Sequence, residues 1–551
     1  MKNKYNNRIT IKNFNMDFEN FNEDKFKINL NRVAFIFVII FFLVILYSTR
    51  VIYLSSKTIQ NNTYKVHKLK RADIIDRNGD YISKSVFTTN VGIDPKLVKD
   101  KKKLLLKLKY TFPNINLEEL KKKIHENKFF YIEKKLIPEK YDKIKLLGEK
   151  SIRLEQKITR VYPDKNLFSH VIGQIDDDNN GISGLEKSFD KKLKDGRDNL
   201  MLTLDKDLQF IIRNELLDAQ KIFKSVGGAG ILMNVNNGEI LSLVSLPDFD
   251  LNSRENISDV NLINRATKGV YELGSVFKSF TIAAGLNYGL ISPKDMFLNL
   301  EKKMKCGKRI ISEYDENLSK DLSVEDILTY SSNIGSVKVG QIVGKERLKN
   351  FLNQIGILSE LDFDIEEIGK PLPFKWRECK LKTVSYGHGI TTTPIQLAKG
   401  YAILSNGGYE VKPTLIKRKF DISEKKRILD KNLSSQINPI LRKVVKKGTA
   451  TLSDVEGYEV AGKTGTAQIV KDGVYSNKKI NTFASIFPSS EPKYVLVILL
   501  EDTKLSKDYI YNYRNKPGSF KGTPFNTAGW TSVEISGKII DKIGPILATK
   551  Y

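Results

Sequence analysis

Tyr271-Glu272-Leu273-Gly274-Ser275-Val276-Phe277-Lys278 sets a serine and a lysine three residues apart at what reads as the start of a helix. Gly274 can make the turn into that helix, and an i, i+3 spacing brings Ser275 and Lys278 to one face. A serine hydroxyl is a poor nucleophile at neutral pH and needs an adjacent base. A lysine desolvated beside other cations has a lowered pKa and can accept that proton. The helix N-terminus adds N–H groups and partial positive charge near a developing oxyanion. Alone, Ser-x-x-Lys carries little weight in so lysine-rich a chain, and the plain reading of Lys278 is a solvated helix lysine.

Two later stretches change that balance. Ser331-Ser332-Asn333 follows the apolar helical run from Val324 to Tyr330. A loop there delivers Ser331 as a proton relay, with Asn333 orienting substrate amides or Lys278, although by itself the pair reads as an ordinary helix cap. Lys463-Thr464-Gly465-Thr466 lies on a predicted strand after Val460-Ala461-Gly462. Lys463 supplies positive charge beside Ser331, and Gly465 opens space where a substrate backbone passes. The hydroxyls of Thr464 and Thr466 suit a terminal carboxylate. The backbone N–H of Thr466 is expected to complete an oxyanion hole with that of Ser275, where one donor is worth about 3 kcal/mol.

The flanking pattern predicts the frame that holds these groups. Ala229 to Val235 and Glu239 to Leu246 form a hairpin about Asn236-Asn237-Gly238, a tight-turn signal. Phe483 to Phe487 and Tyr494 to Leu500 form a second hairpin about Pro488 to Pro492, and Lys463 to Ile469 stands between the two as an isolated strand. Helical segments fill the middle and the end, including Thr527 to Leu547. The expected result is α+β, a five-stranded antiparallel sheet flanked by helices.

At 551 residues the chain suits two or three domains, and 40% hydrophobic content is enough for real cores. Lys and Arg number 91 against 64 Asp and Glu, a net charge of +27. The lysines are spread along the chain without an aromatic-interleaved basic stripe, so the charge identifies no nucleic-acid partner. Cys306 and Cys379 make no disulfide framework, and unpaired thiols are the expected state. Four scattered histidines, His67, His125, His170 and His388, show no metal-ligand spacing, so neither metal nor cofactor is expected.

From Val33 to Tyr47 every residue is apolar or aromatic, and Ser48 to Leu54 extends the run. About 20 helical residues cross a bilayer, so a transmembrane anchor is expected over 33–54, with Arg50 snorkelling to the interface. The charged region before it is too long for a signal peptide, and no small-x-small cleavage site follows. Lys25, Lys27 and Arg32 precede the span while Arg50, Lys57, Lys65 and Lys68 follow it, so the positive-inside rule does not orient it.

Residues 55–221 read as a separate, non-catalytic unit. Arg77-Asn78-Gly79-Asp80 is a turn between strand-like runs. Lys96 to Ile152 carries Leu and Ile at helical spacing among lysines, hence amphipathic helices, with Phe129 to Ile132 a short strand. Leu202-Thr203-Leu204-Asp205 starts a strand or caps a helix.

Taken together, S-x-x-K, S-x-N and K-T-G in this order resemble the class B penicillin-binding proteins, membrane-anchored peptidoglycan D,D-transpeptidases. The resemblance runs from Arg71 to the C-terminus. It rests also on Asp76-Arg77-Asn78-Gly79, Arg160-x-Tyr162-Pro163, Gly184-Leu185-Glu186, Asn264-Arg265-Ala266, Gly387-x-Gly389 and Thr393-Pro394-x-Gln396. No glycosyltransferase domain precedes the pedestal, unlike class A. Asp176 to Glu186 and Thr527-Ala528-Gly529-Trp530 look most like the division-specific septal branch.

The resemblance implies a cytoplasmic tail (1–32), the anchor (33–54), an elongated α+β pedestal of the dimerisation type (55–221) and a transpeptidase domain (222–551). It places the anchor in the bacterial inner membrane with the N-terminus cytoplasmic and the catalytic domain periplasmic. It implies Ser275 as nucleophile, Lys278 as base, Ser331 with Lys463 passing the proton to the departing D-Ala, and an acyl-enzyme resolved by an amine of a neighbouring stem peptide. Peptidoglycan stem peptides and β-lactams are the expected ligands, and a SEDS-type glycosyltransferase and other divisome proteins the expected partners. The sequence departs from the family at Leu273, where proline is usual, and at His388, where tyrosine or phenylalanine is usual. His388 predicts a changed pH dependence. The rivals are an elongation-specific transpeptidase, a serine β-lactamase and a catalytically silent division scaffold.

Overall fold

The computed structural model describes residues 30–136, 138–253, 257–307, 309–418, 426–471 and 474–550. The tail expected at the N-terminus, with Lys25 and Lys27, lies outside them apart from its last residues. Two compact units divide at Leu69 and Lys70. The first carries a helix, Leu30–Leu69. Its Asn31–Ser55 stretch has a mean hydropathy of 2.6 and is, among the described residues, the one helix long and apolar enough to cross a bilayer. Its apolar side chains are exposed all round, as a lipid-facing helix requires.

The second unit begins with the pedestal. Its long strand Tyr81–Ile93 pairs antiparallel with Phe130–Leu136 and Ile152–Val161, and Ile74–Ile75 joins it across the Arg77–Asp80 turn. The lysine-dense stretch forms the helices Lys101–Thr111, Leu117–His125 and Pro138–Lys145. Asp100 and Asn116 cap the first two by accepting backbone N–H bonds. Leu104 with Leu108, and Leu120 with Ile124, turn i, i+4 pairs into a small core against Val91 and Ile93.

Where this sheet meets the catalytic half, the signature residues form one buried ion network. Arg71 Nε and Arg160 Nε reach the two oxygens of Glu186 at 2.5 and 2.8 Å, and Arg71 also reaches Asp190 at 2.7 Å. Ser83 donates to the same glutamate at 3.1 Å. Those residues are therefore architectural: charges taken out of water survive when paired and hydrogen-bonded, and here Arg160 Nη2 alone of the two guanidinium groups is buried without a hydrogen-bond partner. Asp76 ties the pedestal onward, accepting the Asn78 and Asp80 N–H groups and, at 3.2 Å, that of Lys206.

Lys206 opens helix α1 (Lys206–Phe223), capped by Asp205, which accepts from the N–H groups of Asp207 and Leu208. The catalytic sheet follows, with β1 Gly227–Asn234, β2 Ile240–Leu246, β3 Ala461–Lys471, β4 Val474–Phe487 and β5 Tyr494–Glu501. Their order is β3-β4-β5-β1-β2, antiparallel throughout. All of β2 and nearly all of β1 and β5 are buried, as expected of a sheet covered on both faces. The β1–β2 turn needs glycine at Gly238, whose φ is 75° and where a Cβ would sit 2.2 Å from Lys412 O.

Five more helices serve the site and the sheet: α2 Lys278–Asn287, α3 Asn333–Val343, α4 Pro394–Ser405, α5 Leu433–Lys446 and α6 Ser532–Lys550. Thr393-Pro394-x-Gln396 is the N-terminus of α4, a capping box with proline in its first turn.

Two expectations need correction. The Lys463 strand is not isolated: it pairs along its length with β4, which begins at Val474 rather than Phe483. The Val474–Lys479 stretch lies in a largely exposed ribbon and shows no apolar pattern to mark it. Cys306 and Cys379 are bonded to each other, with Cα atoms 5.3 Å apart, and are not unpaired thiols. The hairpin Lys303–Cys306/Arg309–Ser312 lies against the helix Glu378–Ser385, a tertiary proximity that spacing along the chain cannot show.

Candidate active site

Ser275 lies in a single 3-10 turn, Gly274–Phe277, that runs directly into α2 at Lys278. Gly274 takes φ 64°, which favours glycine. Tyr401 of α4, fully buried, donates to Val276 O at 2.9 Å and so pins the turn from behind. Gly387 packs closely on it: a Cβ there would lie 1.9 Å from Gly274 O.

Lys278 and Lys463 are buried, at 1% and 0% exposure, and they converge on Ser331. Lys278 Nζ lies 3.0 Å from Ser331 Oγ and also bonds Ser331 O; Lys463 Nζ lies 2.9 Å from the same Oγ. Burial pushes Lys278 down to about 7, against a smaller upward pull from Glu313. Burial, with the neighbouring Lys278, holds Lys463 well below its ordinary value. A base that is neutral near physiological pH therefore sits one helical turn from the serine, and Ser331 bridges it to a second amine.

β3 is the outermost strand of the sheet, and the serine turn packs against it at Gly465. A Cβ on Gly465 would fall 2.1 Å from Leu273 O and 3.2 Å from Val276 N, so that glycine admits the protein's own turn rather than a substrate chain. A Cβ on Gly274 would in turn lie 3.2 Å from Thr466 N. The peptide groups of Ser275 and Thr466, the expected oxyanion donors, thus lie on segments in direct contact.

The remaining site residues are placed less as expected. Thr464 Oγ1 pairs with Thr449 Oγ1 at 2.7 Å. Thr466 Oγ1 donates to Asn481 Oδ1 and accepts the Ala528 N–H at 2.9 Å. Asn333 is in the first turn of α3, and its amide donates to Ser312 O at 2.7 Å rather than to Lys278. His388 stacks on Tyr386 and Tyr475, with Nδ1 3.8 Å from Glu272. It thus lies between Glu272, which precedes the serine turn, and Tyr475 at the far end of the β3–β4 ribbon. Leu273 is fully buried with φ −95°, outside the range a proline ring sets.

Glu313 escaped the sequence reading. Its carboxylate accepts the N–H groups of Asn333 at 2.7 Å and Ile334 at 3.0 Å, and the Ser332 hydroxyl at 2.6 Å. No motif surrounds it, and an acidic residue after a short strand looks like a solvated turn.

Residues 228–517 match the model of the penicillin binding protein transpeptidase domain, and residues 67–215 that of the penicillin-binding protein dimerisation domain. The chain is a class B penicillin-binding protein. It is similar to the probable peptidoglycan D,D-transpeptidase FtsI of Caulobacter vibrioides, 30% identical over 498 residues, covering 87% of this chain and 82% of that one. The stage V sporulation protein D of Bacillus subtilis is 30% identical over 493 residues, covering 79% and 74%. The solved penicillin-binding protein 3 of Mycobacterium tuberculosis shares the fold, with a TM-score of 0.66 at 21% identity, covering 87% of this penicillin-binding protein and 97% of the solved chain. As a member of this family the chain is a serine-type transpeptidase.

Proposed function

We propose that this penicillin-binding protein cross-links peptidoglycan stem peptides at the division septum. The observation that carries the chemistry is Ser331 Oγ held within 3.0 Å of Lys278 Nζ and within 2.9 Å of Lys463 Nζ, beside the Ser275 turn. Ser275 Oγ attacks the carbonyl between the terminal D-alanines while Lys278 takes its proton. The Ser275 and Thr466 N–H groups receive the oxyanion. The proton passes through Ser331, with Lys463 holding that hydroxyl, to the amine of the departing D-Ala. An amine of a neighbouring stem peptide then attacks the acyl-enzyme, returns a proton by the same route and frees Ser275. A β-lactam ring opens on Ser275 by the first half of this sequence, and the Mycobacterium tuberculosis relative has been solved complexed with ampicillin. Thr464, Gly465 and Thr466 line the strand along which the donor peptide lies, with Asn333 framing its far side.

The anchor (33–54) holds a pedestal (55–221) and a catalytic domain (222–551) on the periplasmic side of the inner membrane, with residues 1–32 cytoplasmic. The Cys306–Cys379 disulfide supports that topology, because such bonds persist in oxidising compartments. The septal role is supported by the Asp176–Glu186 and Thr527–Trp530 stretches and by the likeness to FtsI; a SEDS-type glycosyltransferase and other divisome proteins are its partners. Depletion of the chain in its host tests the role. Filamentous cells are expected, and loss of rod shape without filamentation overturns it in favour of elongation.

A further inference from the structure

We infer that Glu313 is a positioning residue for acyl transfer: its carboxylate holds the Ser331–Asn333 turn in the conformation that sets Ser331 Oγ between the two lysines. The inference rests on the proposed function above.

Ser331 has φ 61°, in the left-handed region that a serine keeps only where its surroundings impose it. On its N-terminal side the turn is fixed by the Ser331 N–H to Leu328 O at 3.3 Å and the Ser332 N–H to Ile327 O at 2.9 Å. On its C-terminal side stands the N-terminus of α3, whose first N–H groups have no intrahelical partner. Glu313 takes two of them directly, Asn333 on Oε2 and Ile334 on Oε1. It also receives the Ser332 hydroxyl, whose oxygen accepts the Gly335 N–H at 2.9 Å. One carboxylate therefore fixes the residues immediately after Ser331, and a negative charge at a helix N-terminus is favourable there.

Glu313 reaches the turn from a separate element, which is itself tied down. The Asn333 amide donates to Ser312 O, the Glu313 N–H to Lys302 O, and Cys306 on the same hairpin is bonded to Cys379. Charge gives Glu313 a second effect. Against the effect of burial, the charge acting on Lys278 is Glu313, beyond the Ser331 turn, which favours the protonated form; Lys463 on β3 faces the same hydroxyl and is itself pushed down by burial and by Lys278. A residue that served packing alone would leave the titration of Lys278 unmoved.

The test measures the rate constant for acylation by a fluorescent penicillin across pH, on the detergent-solubilised full chain, for wild type, Glu313→Gln and Glu313→Ala, with melting temperatures alongside. Glu313→Gln keeps the shape and removes the charge, so the acid limb of its profile should shift to lower pH. Its plateau should fall about tenfold, and that of Glu313→Ala about tenfold to a hundredfold, as expected for lost charge-assisted hydrogen bonds. An unshifted acid limb in Glu313→Gln, or an unchanged plateau in Glu313→Ala, overturns the inference. Wild type that labels equally well as Ser275→Ala contradicts the proposed function instead, a distinct result.

Discussion

Lys463 Nζ lies 2.9 Å from Ser331 Oγ, the same oxygen that Lys278 Nζ approaches at 3.0 Å. Burial drives each amine toward its neutral form, and the nearby Lys278 pushes Lys463 further the same way.

That relationship fixes a pH dependence. Only neutral Lys278 can take the proton of Ser275, and burial pushes it down to about 7. Acylation should therefore be slow at low pH and rise through a midpoint near neutrality as Lys278 loses its proton. Lys278→Arg keeps the charge but stays protonated at every working pH, so acylation should drop about a hundredfold or more. A profile flat between pH 5.5 and 8.5, measured with the fluorescent penicillin, contradicts the assignment of the base.

The disulfide has a consequence of its own. Cys306–Cys379 fixes the hairpin that presents Ser312 and Glu313 to α3. Cys379→Ser should destabilise the chain by about 2–4 kcal/mol and slow acylation, with the hairpin Lys303–Ser312 losing hydrogen-exchange protection first. Equal exchange rates in that hairpin with and without the bond would show that it adds no restraint.

In the pedestal, Glu186 is completely buried between Arg71 and Arg160. Glu186→Gln removes the shared carboxylate and leaves two buried guanidinium groups short of a partner. The expected cost is about 3–5 kcal/mol, read from urea unfolding. A change under about 1 kcal/mol would mean that water or Asp190 replaces it at little cost.

What was legible in the sequence had local causes. Ser275 and Lys278 declare themselves because a nucleophile and its base must share one helical face. The β1–β2 hairpin shows in its Asn-Asn-Gly turn, and the anchor in an unbroken apolar run. What stayed hidden depends on contacts between distant segments. The first half of β4 owes its place to backbone pairing with β3, not to buried side chains. Cys379 meets Cys306 only through tertiary packing. Gly465 is needed for Leu273 O, and Glu313 finds Asn333 across a hairpin that no motif marks. Arg71, Arg160 and Glu186 were visible as separate signatures, and their shared cause emerges in the fold as one ion network.

The most direct test of the central claim is covalent labelling of the detergent-solubilised full chain with a fluorescent penicillin, wild type beside Ser275→Ala. The geometry of Ser275, Lys278 and Ser331 predicts a stable label on wild type and none on a folded Ser275→Ala chain. A label that persists in Ser275→Ala, or one that decays from wild type within seconds, would contradict Ser275 as the nucleophile of a transpeptidase.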